Sequence, residues 1–244
     1  MQARRIVVIL GVVALVAVGL VAVRLRALEA VAPVGDVAPT AGHLPLDQDQ
    51  SVLARVGVGP HDLGPGLTAE LLDQGDQLSQ PTLDLCGLHY ASESRRQARR
   101  QVAVSGSSGD PILSTEAVLY RNQAGAAEAM GEARGAAPRC PSGLVSSPDP
   151  SVPPLRWQIH AQGGLGGPPP AGIDRLGLSV TTSAPDVPAQ QETLVFLRRG
   201  RLLLGLYFLV PDGPQAQVDG GDTIASTVSV FEQRVAALPA DDVS

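Results

Sequence analysis

Residues 193–210 read TLVFLRRGRLLLGLYFLV, two apolar arms on either side of Arg198-Arg199-Gly200-Arg201. Gly200 supplies the positive φ that a tight hairpin needs, and the arms are apolar at nearly every position, so both faces of each strand are expected to be covered. The stretch therefore predicts the central strands of a sheet. Three arginines split it and neither arm approaches the roughly 18 residues of a membrane-crossing helix, so a span here is a poor reading.

Downstream, Ile224, Val228, Phe231, Val235 and Leu238 recur at helical spacing until Pro239 ends the pattern. Upstream, Leu155, Trp157, Ile159 and Ala161 alternate with polar residues, and Leu176, Leu178 and Val180 do the same, which predicts two half-buried strands joined by the 163–170 loop. Arg96–Val104 and Ile112–Arg121 predict a further hairpin across the turn-rich residues 105–111. Asn122 is suited to cap an alanine-rich helix reaching Ala137, where Pro138 stops it, and Thr68 to cap a short helix through Leu71 and Leu72. Strand, turn, strand, loop and helix thus occur twice, over 96–137 and 193–238. The fold class expected is α+β: an antiparallel β-sheet with helices packed on one face, built from two ββα-like units. The folded domain is expected over 67–240, roughly 175 residues, enough for one substantial core.

The N-terminal part reads differently. Residues 1–5 form a short tail, and residues 6–23, IVVILGVVALVAVGLVAV, are apolar or glycine throughout, with Arg4 and Arg5 before and Arg24 and Arg26 after. At about 1.5 Å per residue such a helix covers the bilayer core, so one N-terminal transmembrane helix is expected ahead of the domain. A cleaved secretory signal fits less well: its apolar stretch is usually shorter, and the small-x-small triplet Ala30-Val31-Ala32 is separated by charges and followed by Pro33. Residues 24–66, punctuated by proline and glycine, read as a spacer.

Arginines at both ends of the apolar run leave the charge rule for orientation nearly balanced. The rest of the chain breaks the tie. Net charge is −6 with four of the 18 basic residues beside the apolar run, so the large part is acidic, and only a short tail precedes the run. Cys86 and Cys140 are the only cysteines, an even count compatible with one disulfide in an oxidising compartment; the alternative is two unpaired buried thiols. These observations favour a cell-membrane protein with a single pass and a large extracytoplasmic domain. All basic residues are arginine, which together with the abundance of Ala, Gly, Pro and Val suggests a GC-rich genome.

The segments LTAELL at 67–72, DLCGLHYASESRRQARRQVAV at 84–104, LSTEAVLYRNQAGAAEAM at 113–130 and RC at 139–140 resemble the PknH-like extracellular sensor domain family of actinobacterial membrane-anchored proteins, and the late strand pair with its closing helix is similar to that family's end. The resemblance spans about Leu67 to Leu238. It implies a sheet with helices around a cleft for an undefined ligand and no hydrolytic activity. The chain departs from the kinase member in having two cysteines where that domain carries two disulfides, and in having no kinase, so a sensory role requires a membrane or periplasmic partner.

Motifs that carry chemistry are absent. His43, His61, His89 and His160 lack zinc-site spacing, there is no HExxH or CxxC, and no GxSxG anchors a serine triad. Asp73 with Asp76, and Asp219 with Asp222, fit capping or turn roles. The loop Gly163–Gly167 lacks the lysine and hydroxyl residue of a phosphate loop. No cofactor or metal is expected, and no enzymatic activity. The acidic balance and seven aromatics exclude nucleic acid as a partner. Candidate ligand-binding residues are Arg95, Arg96, Arg99 and Arg100, whose guanidinium forks match phosphate or carboxylate oxygens, with Tyr90, Tyr120 and Trp157 as cleft aromatics. The competing reading of the arginines is a solvated strand edge balanced by Glu93. The function expected is a membrane-anchored extracytoplasmic ligand-binding or sensor-like module with a small-molecule or envelope ligand; the alternative is a structural or protein-interaction component of the cell envelope.

Overall fold

The computed structural model describes residues 48–146, 153–185, 187–210 and 216–244; the expected tail, membrane span, residues 24–47 of the spacer and His43 lie outside them. Seven antiparallel strands form one sheet: β1 (Thr68–Leu71), β2 (Arg96–Ser105), β3 (Pro111–Tyr120), β4 (Arg156–Ala161), β5 (Asp174–Ala184), β6 (Val187–Arg199) and β7 (Leu202–Phe208). Their order across the sheet is β1-β2-β3-β7-β6-β5-β4. The 193–210 hairpin thus supplies β7, the middle strand, and its neighbour β6. Gly200 has φ +55° at the turn, and a Cβ there would also run into the Val243 carbonyl, so both the turn and the C-terminal contact require glycine.

Among the described residues five α-helices accompany the sheet: α1 (Gln48–Val56), α2 (Gln123–Arg134), α3 (Ala136–Arg139), α4 (Ile224–Ala237) and α5 (Ala240–Val243). They lie on both faces, not on one as expected. Against the first face, Val52, Leu53 and Val56 of α1 and Val228, Phe231 and Val235 of α4 pack on Leu113, Ala117, Leu119, Val195, Leu197, Leu202, Leu204, Leu206 and Phe208. Against the second, Ala126, Ala129, Met130 and Ala133 of α2 pack with Val118, Tyr120, Leu194, Phe196, Leu203 and Tyr207. The reason is the composition of the central hairpin: β7 alternates Leu202, Leu204 and Leu206 on one face with Leu203 and Tyr207 on the other, so each face has apolar surface to remove from water.

The two ββα runs are present as β2-β3-α2 and β6-β7-α4. Because β3 and β7 are antiparallel neighbours, the local two-fold that exchanges the hairpins keeps each face on itself. Yet α2 and α4 occupy opposite faces. The units therefore have opposite hand, and no rotation superposes them as a duplicated module.

Two further expectations change. Residues 48–66 of the expected spacer fold: α1 inserts its apolar stripe into the first-face core, and a 3-10 turn covers Pro60–Asp62. The prolines and glycines around Val52, Leu53 and Val56 had concealed a helix of two and a half turns. Residues 68–71 are a strand, not a helix, pairing Thr68–Leu71 with Ser105–Val102; the open edge of β2 supplies the ladder hydrogen bonds that so short a segment does not make by itself. The alanine-rich helix is capped as expected, Asn122 Oδ1 accepting from Gly125 N at 3.0 Å, but it breaks at Gly135 into α3, where Pro138 sits in the first turn and is tolerated. The cysteines are paired: Cys86 and Cys140 form a disulfide with Cα atoms 5.3 Å apart.

Candidate functional site

Helix α2 covers one part of the second face, and another part lies under an irregular strap, residues 72–90, which carries Leu83, Leu85, Cys86 and Tyr90 into the core. A strap buries carbonyl groups that no helix ladder satisfies, so side chains must supply the donors. Arg96 donates to the carbonyls of Leu78 (2.8 Å) and Gln80 (2.6 Å) and to Thr82 Oγ1 (3.1 Å). Arg99 donates to the carbonyls of Gln74 and Gly75, both at 3.2 Å, and to Gln101 Oε1. The Glu93 carboxylate accepts from the amides of Thr82 (2.9 Å) and Leu83 (3.0 Å). Tyr90 donates to the Leu85 carbonyl at 2.9 Å, and the disulfide ties the strap to the end of α3.

Beneath the strap sits Glu116 of β3, 2 % exposed, paired with Arg99 and accepting from Thr82 Oγ1 (2.9 Å) and Tyr207 Oη (3.1 Å). Gly205 lies opposite Glu116 across the β3–β7 ladder. Tyr207 leans over it to reach the carboxylate: a Cβ at Gly205 would lie 2.9 Å from the Tyr207 ring. Glycine is needed there for close approach, with Phe196 edge-on to the same ring at 6.2 Å between centroids. Burial, then the Glu116 charge, push the Tyr207 phenol well above its usual range.

Beside this network the strap and the sheet leave a small cleft lined by Asp84 and Leu85 from the strap, Trp157 from β4, Val180 and Thr182 from β5, Glu192 and Leu194 from β6, and Tyr207 from β7. Its cavity volume of about 20 Å³ admits roughly one water or a group of that size, and one side opens to solvent. Asp84 keeps solvent contact by its accessible area, yet protein surrounds it closely enough that desolvation dominates; desolvation and the neighbouring Glu116 push its carboxyl up to about 7. Glu192, half-buried, is pushed up to about 7 by desolvation and then by Asp84. Glu93 is raised by burial against its amide donors and Arg96.

The arginine candidates are thereby placed. Arg96 and Arg99 are buried and engaged by the strap and by acids, so their forks do not face a ligand. Arg95 is exposed, 3.0 Å from Glu128, and Arg100 points to the opposite face of β2 from Arg99, opposite Ala117. The four do not converge. Tyr90 and Tyr120 are sealed in the core at 1 % and 0 % exposure, and burial raises both phenols. Trp157 alone of the candidate aromatics borders the cleft. Among the described residues, His61, His89 and His160 are exposed, and no group of three His, Cys, Asp or Glu side chains is arranged to hold a metal.

Asp84, Glu192, Thr182 and Tyr207 were missed. Glu192 carried a readable signal: in period two it shares a face with Leu194 and Phe196, a carboxyl in an apolar register. Starting that strand at Thr193 cut it off. Asp84, on an irregular segment, had no periodicity to mark it.

No protein-family model matches the chain, and no curated protein matches it. Among solved structures it is similar to the crystal structure of the extracellular domain of PknH from Mycobacterium tuberculosis, with TM-score 0.41 and 12 % identity over 78 % of this chain and 96 % of that chain. It is also similar to the X-ray structure of a putative uncharacterized protein (Rv0999 ortholog) from Mycobacterium smegmatis, with TM-score 0.36 and 13 % identity over 78 % and 96 %.

Proposed function

We propose that this chain is a single-pass, membrane-anchored, extracytoplasmic ligand-binding or sensor-like module without catalytic activity. The observation that carries the reading is the cleft under the strap. Three separate elements bring Asp84, Glu192 and Trp157 to one opening, and the fold keeps two carboxyl groups there in surroundings that disfavour their charge. Perturbed titratable groups in a cleft are the usual mark of a binding site, because packing alone gives no reason to retain them. Anchoring is supported by residues 6–23, and outward placement by the Cys86–Cys140 disulfide, which persists in oxidising compartments. The non-catalytic reading rests on the cleft's lining, which offers no histidine, cysteine, serine or lysine to act as nucleophile or base beside the two carboxyls. Transmission of a binding event is assigned to a membrane partner.

The test is a thermal-shift panel of small metabolites, glycans and envelope lipids on the full-length chain in detergent. A ligand that prefers the folded state must stabilise it, so a reproducible, concentration-dependent rise in Tm is expected. No rise across the panel overturns the ligand-binding reading in favour of a protein-interaction component. Protease added to intact cells should remove the domain, and protection from it would overturn the orientation.

A further inference from the structure

Resting on the reading of the cleft as a ligand site, we propose that it takes a primary ammonium group, held between the carboxylates of Asp84 and Glu192 with the Thr182 hydroxyl as third acceptor and the Trp157 indole against the alkyl stem.

Charge accounting on the second face points this way. Glu116 has Arg99 and two hydroxyl donors, Glu93 has Arg96 and two backbone amides, and Glu132 has the amides of Ala91 and Ser92. Asp84 and Glu192 differ: no cation and no donor from another described residue meets either one. The groups that face them from the packed elements are Glu116 of β3, Glu93 of the 3-10 turn Ala91–Arg95 ahead of β2, Arg99 of β2, and the neutral Tyr90 and Tyr207. Arg99 is already paired with Glu116, so Asp84, exposed at the mouth, and Glu192, half-buried behind it, present two carboxylates to the cleft with no arginine of their own.

The lining selects the kind of cation. A hard divalent ion wants about six to eight oxygen ligands, whereas half of this lining is Leu85, Trp157, Val180 and Leu194. A planar guanidinium exceeds a space of about 20 Å³, but an ammonium group is about the size of the one water it admits. Its three N–H donors match two carboxylates and one hydroxyl, and the indole adds a cation–π contact. The rest of the molecule extends through the open side, so a free amine and an amine-bearing head group share this chemistry.

Trp157 is the only tryptophan in the chain and borders the cleft, so its fluorescence reports occupancy directly. The full-length chain in detergent is titrated with ethylammonium chloride, and with calcium chloride, sodium acetate and ethanol, at constant ionic strength. A saturable change with ethylammonium is expected. Protons compete for the same carboxylates: with a pKa of about 7, Glu192 is about 90 % ionised at pH 8 and about 3 % at pH 5.5, so affinity should fall about thirtyfold or more between them. Glu192→Gln and Asp84→Asn should each remove the response, while His89→Gln, at an exposed site, should keep it; the Tm of each variant confirms folding. Glycerophosphoethanolamine binding more tightly than ethylammonium would assign the head group, and equal or weaker binding the free amine; either supports the inference. A response to acetate, ethanol or calcium but not to ethylammonium overturns the ammonium assignment and leaves the cleft a ligand site. No response to any probe overturns both.

Discussion

The two faces of the sheet are covered by different means. Helices α1 and α4 lie on the first face and satisfy their own backbone except at their ends, where Arg199 and Arg234 donate to carbonyls, so the contact between them and the sheet is mainly apolar. The second face is shared between α2 and a strap without regular structure, and there the cover needs charged fastenings: Arg96 and Arg99 for carbonyls, Glu93 for amides, Glu116 beneath. A helix brings its hydrogen bonds with it; a strap takes them from side chains, and it does not meet the sheet as closely. The cleft lies at that imperfect meeting. A dry, helix-covered face builds stability, and a polar, strap-covered face leaves an opening for chemistry.

Removing Arg99 tests the contrast most severely. Arg99→Ala leaves Glu116 buried without its charge partner and frees the carbonyls of Gln74 and Gly75, so a loss of roughly 3–5 kcal/mol is expected in thermal or denaturant unfolding. Replacing Arg99 and Glu116 together by methionine should recover only part of it, because the strap carbonyls stay unsatisfied. Hydrogen exchange should quicken first at residues 74–85. Full recovery in the double variant would show that the pair, not the strap, is what Arg99 serves.

On the first face, Leu204→Ala removes a fully buried side chain with no polar partner and should cost roughly 2–5 kcal/mol by cavity formation. Its loss should be global, with no region of early exchange and no change in Trp157 fluorescence. Early exchange confined to the strap would dissolve the distinction between the faces. Gly205→Ala is intermediate in kind: the sequence change is a methyl group, but it pushes the Tyr207 ring away from Glu116. A cost of roughly 1–3 kcal/mol is expected. Tyr207→Phe in the same background should add little, since the hydroxyl contact would already be broken; full additivity in the double-variant cycle would deny the coupling.

What was legible in the sequence divides along the same line. Regular periodicity marked β4, β5 and α4, because burial on one face leaves a repeat of two or of 3.6 residues; β2 and β3 were marked by the turn residues between them, β6 and β7 by continuous apolar arms, and α2 by its cap and alanine content. The central place of the 193–210 hairpin was legible too, and its apolar positions on both faces already implied cover on both sides, against the single-sided arrangement expected. The strap gave no signal, since its charged fastenings come from 10 to 34 residues away in sequence, Glu93 with Leu83 the shortest and Glu116 with Thr82 the longest. The same nonlocality hid the site. Arg95, Arg96, Arg99 and Arg100 look like an exposed cluster when read in a line, but strand alternation and the bulge between Arg96 and Ala98 send them in different directions. The chain's reliance on arginine also gains a structural reason beyond composition: Arg139, Arg175, Arg199 and Arg234, like Arg96 and Arg99, donate to backbone carbonyls at helix ends and in loops.

The smallest effect expected is also specific to the strap-covered face: stability should fall as pH rises toward neutrality. Asp84 and Glu192 stand at about 7 in the folded chain against ordinary values of 3.8 and 4.5, and Glu93 shifts in the same direction. Between about pH 4 and pH 7 the unfolded chain has released these protons while the folded chain still holds them. The unfolded state then binds fewer protons than the native one, and the stability present below pH 4 is lost progressively as pH passes through about 7. With three groups contributing, the slope is shallow. Solvent contact at Asp84 reduces it further. The measurement is Tm at pH 5 and pH 8 in buffers of matched ionic strength. The wild type should melt lower at pH 8; Asp84→Asn and Glu192→Gln should flatten the difference, and Leu204→Ala should lower both values while preserving it. A wild-type Tm that rises over this interval, or a slope untouched by the two cleft substitutions, would mean that the cleft carboxyls are fully hydrated, and the polar opening that separates the second face from the first would lose its electrostatic basis.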